Sequence, residues 1–137
     1  MTSGGLRSVK FKGELGPLER AVMDYIWDRD GPVTVRDVSE GLTLRPRHAY
    51  TTLMTIMERL RKKGLLSRRS MGRANVYAVQ RTREEHAAGM VAQVLKGATD
   101  RRSVFLGFVR SIDDDDLADL RKVIRDVERE RRTRGSD

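Results

Sequence analysis

Nine lysines and arginines lie between residues 45 and 77, where the only acid is Glu58. Removing this basic window from the 28 basic and 20 acidic residues of the chain leaves 19 of each, so the window carries the whole net charge of +8. Charge this concentrated is typical of a surface that binds the phosphates of a polyanion. Its nine cations are Arg45, Arg47, Arg59, Arg61, Lys62, Lys63, Arg68, Arg69 and Arg73.

The residues before the basic window predict two helices that hold it in place. Pro17 suits the first turn of a helix that ends at Gly31-Pro32, with Leu18, Val22, Tyr25 and Ile26 on one face. The next three residues, 32–34, suit a very short strand, after which Thr34 can cap a second helix over 35–42. The inward residues of this short helix are Val35, Val38 and Leu42.

The third predicted helix spans residues 47–64 and forms the first half of the basic window. Its core face is predicted to hold Ala49, Leu53, Ile56, Met57 and Leu60. Its other face is predicted to hold His48, Thr51, Thr52, Thr55, Arg59 and Lys62. Threonine is a poor helix former, and this cluster brings no evident structural gain, which favours a functional role for the outward face.

A hairpin is predicted after Gly64, with strands over 65–69 and 74–79 joined by Ser70 to Arg73. Arg73 then lies at the tip, where it can reach phosphate or a minor groove. The fold class predicted is mostly α with a small β-hairpin wing: a winged helix-turn-helix over 14–80, preceded by a flexible arm over 1–13.

Residues 81–137 are predicted to form a separate helical dimerisation domain, because their 13 basic and 12 acidic residues balance and no strand pattern appears. Helices are predicted over 83–96, 101–111 and 114–132, the first with Ala87, Met90, Val91 and Val94 inward. Three short helices cannot bury so many apolar groups alone, so we expect them to pair with a second copy. The residues expected to make that contact are Val104, Phe105, Phe108, Val109, Leu117, Leu120, Ile124 and Val127.

Other groups in the chain favour structural interpretations, and we expect no catalytic residue, metal or cofactor. Asp113 to Asp116 suit the start of a helix, whose dipole favours acids. His48 and His86 are far apart in sequence; His48 is expected to meet phosphate or solvent, and His86 to lie on a helix surface. Trp27 and the methionines are interpreted as core, while the chain has no cysteine and no apolar run long enough to span a bilayer. We expect a cytoplasmic protein that is not an enzyme.

Two segments of the chain resemble the penicillinase repressor family, BlaI/MecI/CopY. They are LGPLERAVMDYIWDRDGPVTVRDV at 15–38 and AYTTLMTIMERLRKKGLLSRR, followed by GRANVYA, within 49–78. The resemblance covers the winged-helix region closely and the C-terminal region by size and helix pattern. It implies a dimeric repressor that binds a two-fold-related operator in double-stranded DNA.

By this resemblance Thr51 and Thr55 would read bases. Contacts to the DNA backbone would come from Thr52, Arg59, Arg73 and their neighbours Arg45, Arg47, His48, Tyr50, Lys62 and Arg68. The copper-responsive branch uses clustered cysteines, which this chain lacks. The β-lactam branch is inactivated by a sensor-protease system that cleaves an Asn-Phe bond, and this chain has Gly107-Phe108 at the matching place.

The leading hypothesis is therefore a sequence-specific, homodimeric transcriptional repressor, with a membrane sensor-protease or another inducing system as a further partner. The alternative is a winged-helix module that binds protein and not specific DNA. The charge window argues against that alternative, and phosphate contacts alone do not distinguish DNA from RNA.

Overall fold

The computed structural model describes residues 13–42 and 48–135. The predicted N-terminal arm therefore lies outside the described residues except for Gly13. The elements, in chain order, are α1 (Pro17–Trp27), α2 (Val35–Gly41), α3 (Tyr50–Lys62), β1 (Leu66–Met71), β2 (Ala74–Val79), α4 (Arg83–Gly97), α5 (Arg101–Ser111) and α6 (Asp114–Gly135).

Side-chain caps begin several of these helices. The Thr34 hydroxyl accepts the backbone N–H of Asp37 at 3.0 Å, and the Asp37 carboxylate accepts the N–H of Thr34 at 2.9 Å, so the predicted cap of α2 is a complete capping box. Asp113 accepts the N–H of Asp116 at 2.8 Å at the start of α6. The prediction that these aspartates begin a helix is confirmed.

Helices α1, α2 and α3 enclose one hydrophobic core together with the hairpin. Its central side chains are at most 6% exposed, which makes this core the main source of stability for the first part of the chain. They are Val22, Met23, Ile26, Val33, Val35, Val38, Leu53, Ile56, Met57, Leu60, Leu65, Leu66 and Tyr77.

The hairpin begins where Gly64 ends α3 at φ +84°, a conformation that favours glycine. Strands β1 and β2 pair antiparallel from Leu66 with Val79 to Met71 with Ala74. The turn is therefore Gly72-Arg73, two residues shorter than predicted, and Gly72 takes the positive φ of +65° that a first position of a type II′ turn requires. Val33 makes an isolated antiparallel bridge to Tyr77 on the other side of β2, so the short strand predicted over 32–34 is reduced to this one residue.

Three predictions about α3 and its surroundings are corrected. The helix begins at Tyr50 and not at residue 47, and Ala49, predicted in the core, is an exposed cap residue. Met54 and Met71, interpreted as core, are 42% and 56% exposed. Met54 projects between the buried and outward faces of α3, and Met71 ends a strand at the hairpin tip, so neither can reach the core.

Helix α4 is attached to α1 through Trp27. The Trp27 indole N–H donates to the carbonyl of Arg81 at 3.0 Å, and its ring lies 5.8 Å from that of His86. His86, predicted on a helix surface, is in fact buried at 7% exposure because the first turns of α4 pack on α1. The predicted inward positions Ala87, Val91 and Val94 are exposed, since no described residue covers that side of α4.

The chain divides into two compact units, a first unit ending at Lys96 and a second unit that begins at Gly97. The second unit contains α5 and α6, and none of its described residues is buried. The bounds predicted for α5 are confirmed, and α6 extends three residues beyond its predicted end. No described helix is long and apolar enough to cross a membrane.

Candidate nucleic-acid interface

The outward face of α3 is polar, exposed and opposite the buried stripe of Leu53, Ile56, Met57 and Leu60. Since α3 packs on α2 and is followed by the hairpin, this face is the one available for insertion into a groove. Its exposed residues are Tyr50, Thr51, Thr52, Met54, Thr55, Arg59 and Lys62. All the predicted site residues on the described part of α3 therefore share one accessible surface.

Two predicted contacts, Arg45 and Arg47, lie outside the described residues. His48 lies just before α3 and is half-buried, whereas Tyr50 at the first position of the helix is 52% exposed. The start of α3 thus presents an aromatic ring and a hydroxyl beside the threonines.

The Thr55 hydroxyl donates to the backbone carbonyl of Thr51 at 3.0 Å, one turn earlier. This bond occupies the hydroxyl hydrogen but leaves the oxygen lone pairs and the methyl group for another partner. In the free protein Thr55 is therefore prepared to accept a hydrogen bond from a base or to contact a thymine methyl, while donation would require the hydroxyl to rotate.

The described cations of the basic window fall into two groups. Lys63 is used inside the fold: its Nζ lies 2.9 Å from Oε1 and 2.8 Å from Oε2 of Glu19 and donates to the carbonyl of Glu14 at 3.0 Å. Arg61 and Arg68 pair with Glu58. Among the described cations of the basic window, those without an ion pair are Arg59, Lys62, Arg69 and Arg73, on α3 and the hairpin.

Glu58 connects α3 to both strands of the hairpin. Its Oε2 accepts the Tyr77 hydroxyl at 2.7 Å, and its Oε1 lies 2.9 Å from Arg68 Nη1 and 3.2 Å from Arg61 Nη2. The Tyr77 hydrogen bond, with Arg61 and Arg68, holds the pKa of Glu58 below its ordinary value despite partial burial. Burial, followed by the Glu58 contact, raises the pKa of Tyr77 to about 12.

A groove of about 360 Å³ runs between α3 and the hairpin, with Glu58 and Tyr77 in its lining. The sequence identified the cations of this groove and Thr55, but it assigned no role there to Glu58 or Asn75 and placed Met54 in the core. The sequence signals were the isolation of Glu58 among nine cations and the helical position of Met54 beside Thr55. The remaining lining residues are Met54, Thr55, Arg59, Lys62, Arg68 and Asn75.

Arg73 lies at the tip of the hairpin and is exposed, next to Gly72. A neighbouring groove of about 340 Å³, which shares Met54 with the first, has Arg73 and Tyr50 among its lining residues. The tip cation and the start of α3 therefore border the same surface. Among the described residues there is no cluster of three His, Asp or Glu side chains that could hold a metal ion.

A short scaffold helix, a groove-facing helix and a hairpin that extends beside it define a winged helix-turn-helix. The family model described as "Penicillinase repressor" matches residues 15–126. The chain belongs to the penicillinase repressor family. This is a family of transcriptional regulators, so the chain is a DNA-binding regulator of the repressor type and not an enzyme.

The curated relatives include "Transcriptional regulator BlaI" of Mycobacterium tuberculosis, from strains CDC 1551 / Oshkosh and H37Rv. Each is 41% identical over 117 residues, which cover 83% of this chain and 85% of the relative. Among solved structures, the solution structure of the DNA-binding domain of the repressor BlaI has 26% identity and a TM-score of 0.47 and covers 56% of this chain and 93% of that one.

Proposed function

We propose that this protein represses transcription as a homodimer that binds a two-fold-related operator, acting in the cytoplasm. The observation that carries the proposal is the outward face of α3, where three threonines stand beside Arg59 and Lys62 and close to the wing arginines. Hydroxyls and methyls suit base edges, and surrounding cations suit phosphates. A bound dimer would repress by occupying a promoter.

Sequence preference is assigned to Thr51 and Thr55, and contacts to the DNA backbone to the cations and hydroxyls around them. Because the Thr55 hydroxyl already donates within the helix, Thr55 is proposed to read DNA through its methyl group or as an acceptor. The backbone contacts proposed are Arg45, Arg47, His48, Tyr50, Thr52, Arg59, Lys62, Arg68 and Arg73.

The second unit is proposed to form the dimer. Phe105 and Phe108 on α5 are 51% and 54% exposed, and Ile124 on α6 is 51% exposed. Such apolar exposure, in a unit none of whose described residues is buried, favours a partner that covers it, and a second copy would also duplicate the recognition helix. The residues proposed for this contact are Val104, Phe105, Phe108, Val109, Leu117, Leu120, Ile124 and Val127.

An inducing system, either a membrane sensor-protease or another signal, is proposed to release the operator. Cleavage at Gly107-Phe108 would carry a structural cost, because this bond lies inside α5 and a protease needs locally extended chain. Proteolysis of this bond, as in the β-lactam branch of the family, would therefore first require α5 to unfold locally.

The experiment that tests the function is binding of the purified full chain to DNA upstream of its own and neighbouring genes, across a salt series. Random duplex serves as competitor. We expect tight binding that survives the competitor, with a protected site that has two-fold symmetry. Equal loss of binding to any duplex would reject sequence-specific repression and favour the protein-binding alternative.

Thr55→Ala and Thr55→Val then separate the two ways in which Thr55 can read DNA. Valine keeps a methyl in place and removes the hydroxyl, so preserved preference in Thr55→Val with lost preference in Thr55→Ala identifies methyl contact. Loss in both variants identifies the hydroxyl oxygen as acceptor. Equal losses on operator and random DNA would contradict a base-reading role.

A further inference from the structure

The only acid in the basic window contacts residues on both strands of the wing. Arg68 and Tyr77 are direct partners across the β1–β2 ladder, and Glu58 on α3 binds both of them, at 2.9 Å and 2.7 Å. Tyr77 is also held by the core, with 1% exposure, and its backbone exchanges two hydrogen bonds with Val33. Glu58 is therefore positioned to fix the wing relative to the recognition helix.

The same carboxylate neutralises a wing cation at the surface that would face DNA. The Arg68 side chain is 39% exposed, so its guanidinium lies at the mouth of the groove between α3 and the hairpin. Arg69 and Arg73 on the same hairpin have no carboxylate partner among the described residues. Glu58 thus competes with phosphate for Arg68, the wing cation that is also proposed to contact the DNA backbone.

Phosphate contacts carry affinity for every DNA sequence, whereas selectivity comes from contacts that only the correct sequence allows. An acid that holds an arginine away from phosphate lowers binding most on random duplexes, where phosphate contacts carry nearly all the affinity and the protein can shift along the DNA to place a free cation. On the operator, docking of α3 limits which phosphates that cation can reach. An acid that also fixes the wing supports the geometry in which α3 and the wing contact the operator together. Both effects increase the difference between operator and random DNA.

We propose that Glu58 is a positioning residue that sets the DNA selectivity of this protein, by withholding Arg68 from indiscriminate phosphate contact and by holding the wing to α3 through Tyr77. The proposal rests on the proposed function. It adds that the only acid of the basic window contributes to discrimination between DNA sequences.

The principal test is Glu58→Gln, which keeps the size of the side chain and removes its charge. The probes are a duplex enriched from a random library by the wild-type protein and a scrambled duplex of equal length and composition. With Arg68 released, binding of the variant to scrambled duplex should tighten roughly five- to tenfold near 0.1 M salt, and its salt slope should steepen by about one per protomer. Binding to the enriched duplex should gain less, so selectivity falls.

Two further variants separate the two parts of the proposal. In the Arg68→Ala background, Glu58→Gln should no longer tighten binding to scrambled duplex; persistence of the full gain would overturn the withholding of Arg68.

Tyr77→Phe keeps the ring and removes only the hydroxyl that binds Glu58. It should lower binding to the enriched duplex without steepening the salt slope, and unchanged selectivity would overturn the role in wing positioning.

Glu40→Gln provides the matched charge control, because Glu40 is an exposed acid on α2 that pairs with Arg36 at 3.0 Å within its own helix. An effect of Glu40→Gln equal to that of Glu58→Gln would overturn the proposal in favour of net charge alone. Equal weakening by Glu58→Gln on both duplexes would indicate a structural role only and also overturn it.

Wild-type behaviour distinguishes failure of this inference from failure of the proposed function. If the wild-type protein prefers the enriched duplex and Glu58→Gln leaves affinity, slope and selectivity unchanged, the inference fails and the function stands. If the wild-type protein enriches no duplex, the function fails, and selectivity control by Glu58 fails with it.

Discussion

The two units of this chain differ in how far they bury their apolar side chains. The first unit closes its own core, with thirteen apolar residues buried among α1, α2, α3 and the hairpin. No residue is buried in the described part of the second unit. Its large apolar side chains Phe105, Phe108 and Ile124 are each more than half exposed. The first unit is therefore expected to fold by itself, whereas the second needs a partner for its apolar surface.

This difference indicates where each function resides. Because the first unit buries its own core, it can hold α3 and the wing in the geometry that base contacts require, whether or not the second unit is folded. An exposed apolar surface instead makes assembly the step that completes the fold. Substitutions in the two units should consequently affect different measurements.

The largest expected effect comes from Leu120→Asp in the second unit. A charge placed in the apolar contact loses its hydration, so the dissociation constant of the dimer should rise by about 100-fold or more. Sedimentation over a concentration series should show monomer, while the first unit keeps its folded spectrum. Ala118→Asp, on the other side of α6, is the control. An unchanged mass for Leu120→Asp would reject the proposed dimer contact.

The next-largest effect comes from Gly41→Ala, which should destabilise the first unit without affecting dimerisation. A Cβ added at Gly41 would lie 2.6 Å from Cε2 of Tyr25 and closer still to the ring carbon Cζ and the hydroxyl. The ring packs against the core, and its hydroxyl donates to the carbonyl of Asp37. Gly41→Ala should therefore cost about 2 kcal/mol of unfolding free energy in thermal or urea unfolding.

Gly89→Ala is the matched control for this substitution. Its Cβ would meet only Arg81 Nη1 at 3.7 Å, an ordinary contact, and alanine favours the helical conformation of α4. We expect a gain of up to about 1 kcal/mol. If Gly41→Ala were equally stabilising, close packing of Tyr25 on α2 would be wrong.

A smaller effect concerns the pH dependence of the first unit. Burial alone would raise the pKa of Glu19, but the hydrogen bond from Lys63, the N–H of Gly16 and nearby cations hold this pKa below its ordinary value of 4.5. A lowered pKa contributes stability that is present above the unfolded value and is lost as pH falls through the folded value. Glu19→Gln should thus cost about 1 kcal/mol at pH 7 and less at pH 3.

Urea unfolding of both proteins at the two pH values measures this difference. Glu40→Gln, which changes an exposed ion pair on α2, should alter stability little at either pH. A constant difference between wild type and Glu19→Gln from pH 7 to pH 3 would show that the Glu19–Lys63 pair does not contribute through its charge.

The sequence predicted the elements of both units well, because periodicity and caps are local properties. Thr34, Gly64 and the span of α5 could all be identified from neighbouring residues. The start of α3 could not, since Pro46 suited a helix start while the helix begins at Tyr50. Ala87 and Val91 were predicted to point inward but are exposed. A helical stripe shows which residues share a face, but not whether another part of the chain covers that face.

The contacts that organise the site depend on residues distant in sequence, so local patterns could not reveal them. Glu58 and Tyr77 are 19 residues apart and meet only because the hairpin returns against α3. The burial of His86 depends in the same way on Trp27 in α1. Cations could be counted from the sequence, but which of them are used inside the fold required the structure.

The smallest expected effect comes from removing one positive charge from either unit; the net positive charge is concentrated in the first unit. Arg73 at the wing tip is proposed to contact one phosphate, so Arg73→Ala should flatten the dependence of log K on log salt by about 0.9 per protomer and weaken operator and random duplex alike. Arg121→Ala removes the same charge from exposed α6 in the second unit. Because the second unit is proposed to bind protein and not DNA, that variant should keep the wild-type slope. An unchanged slope for Arg73→Ala would separate Arg73 from the interface formed by α3. Equal flattening by both variants would instead mean that the second unit also contacts DNA.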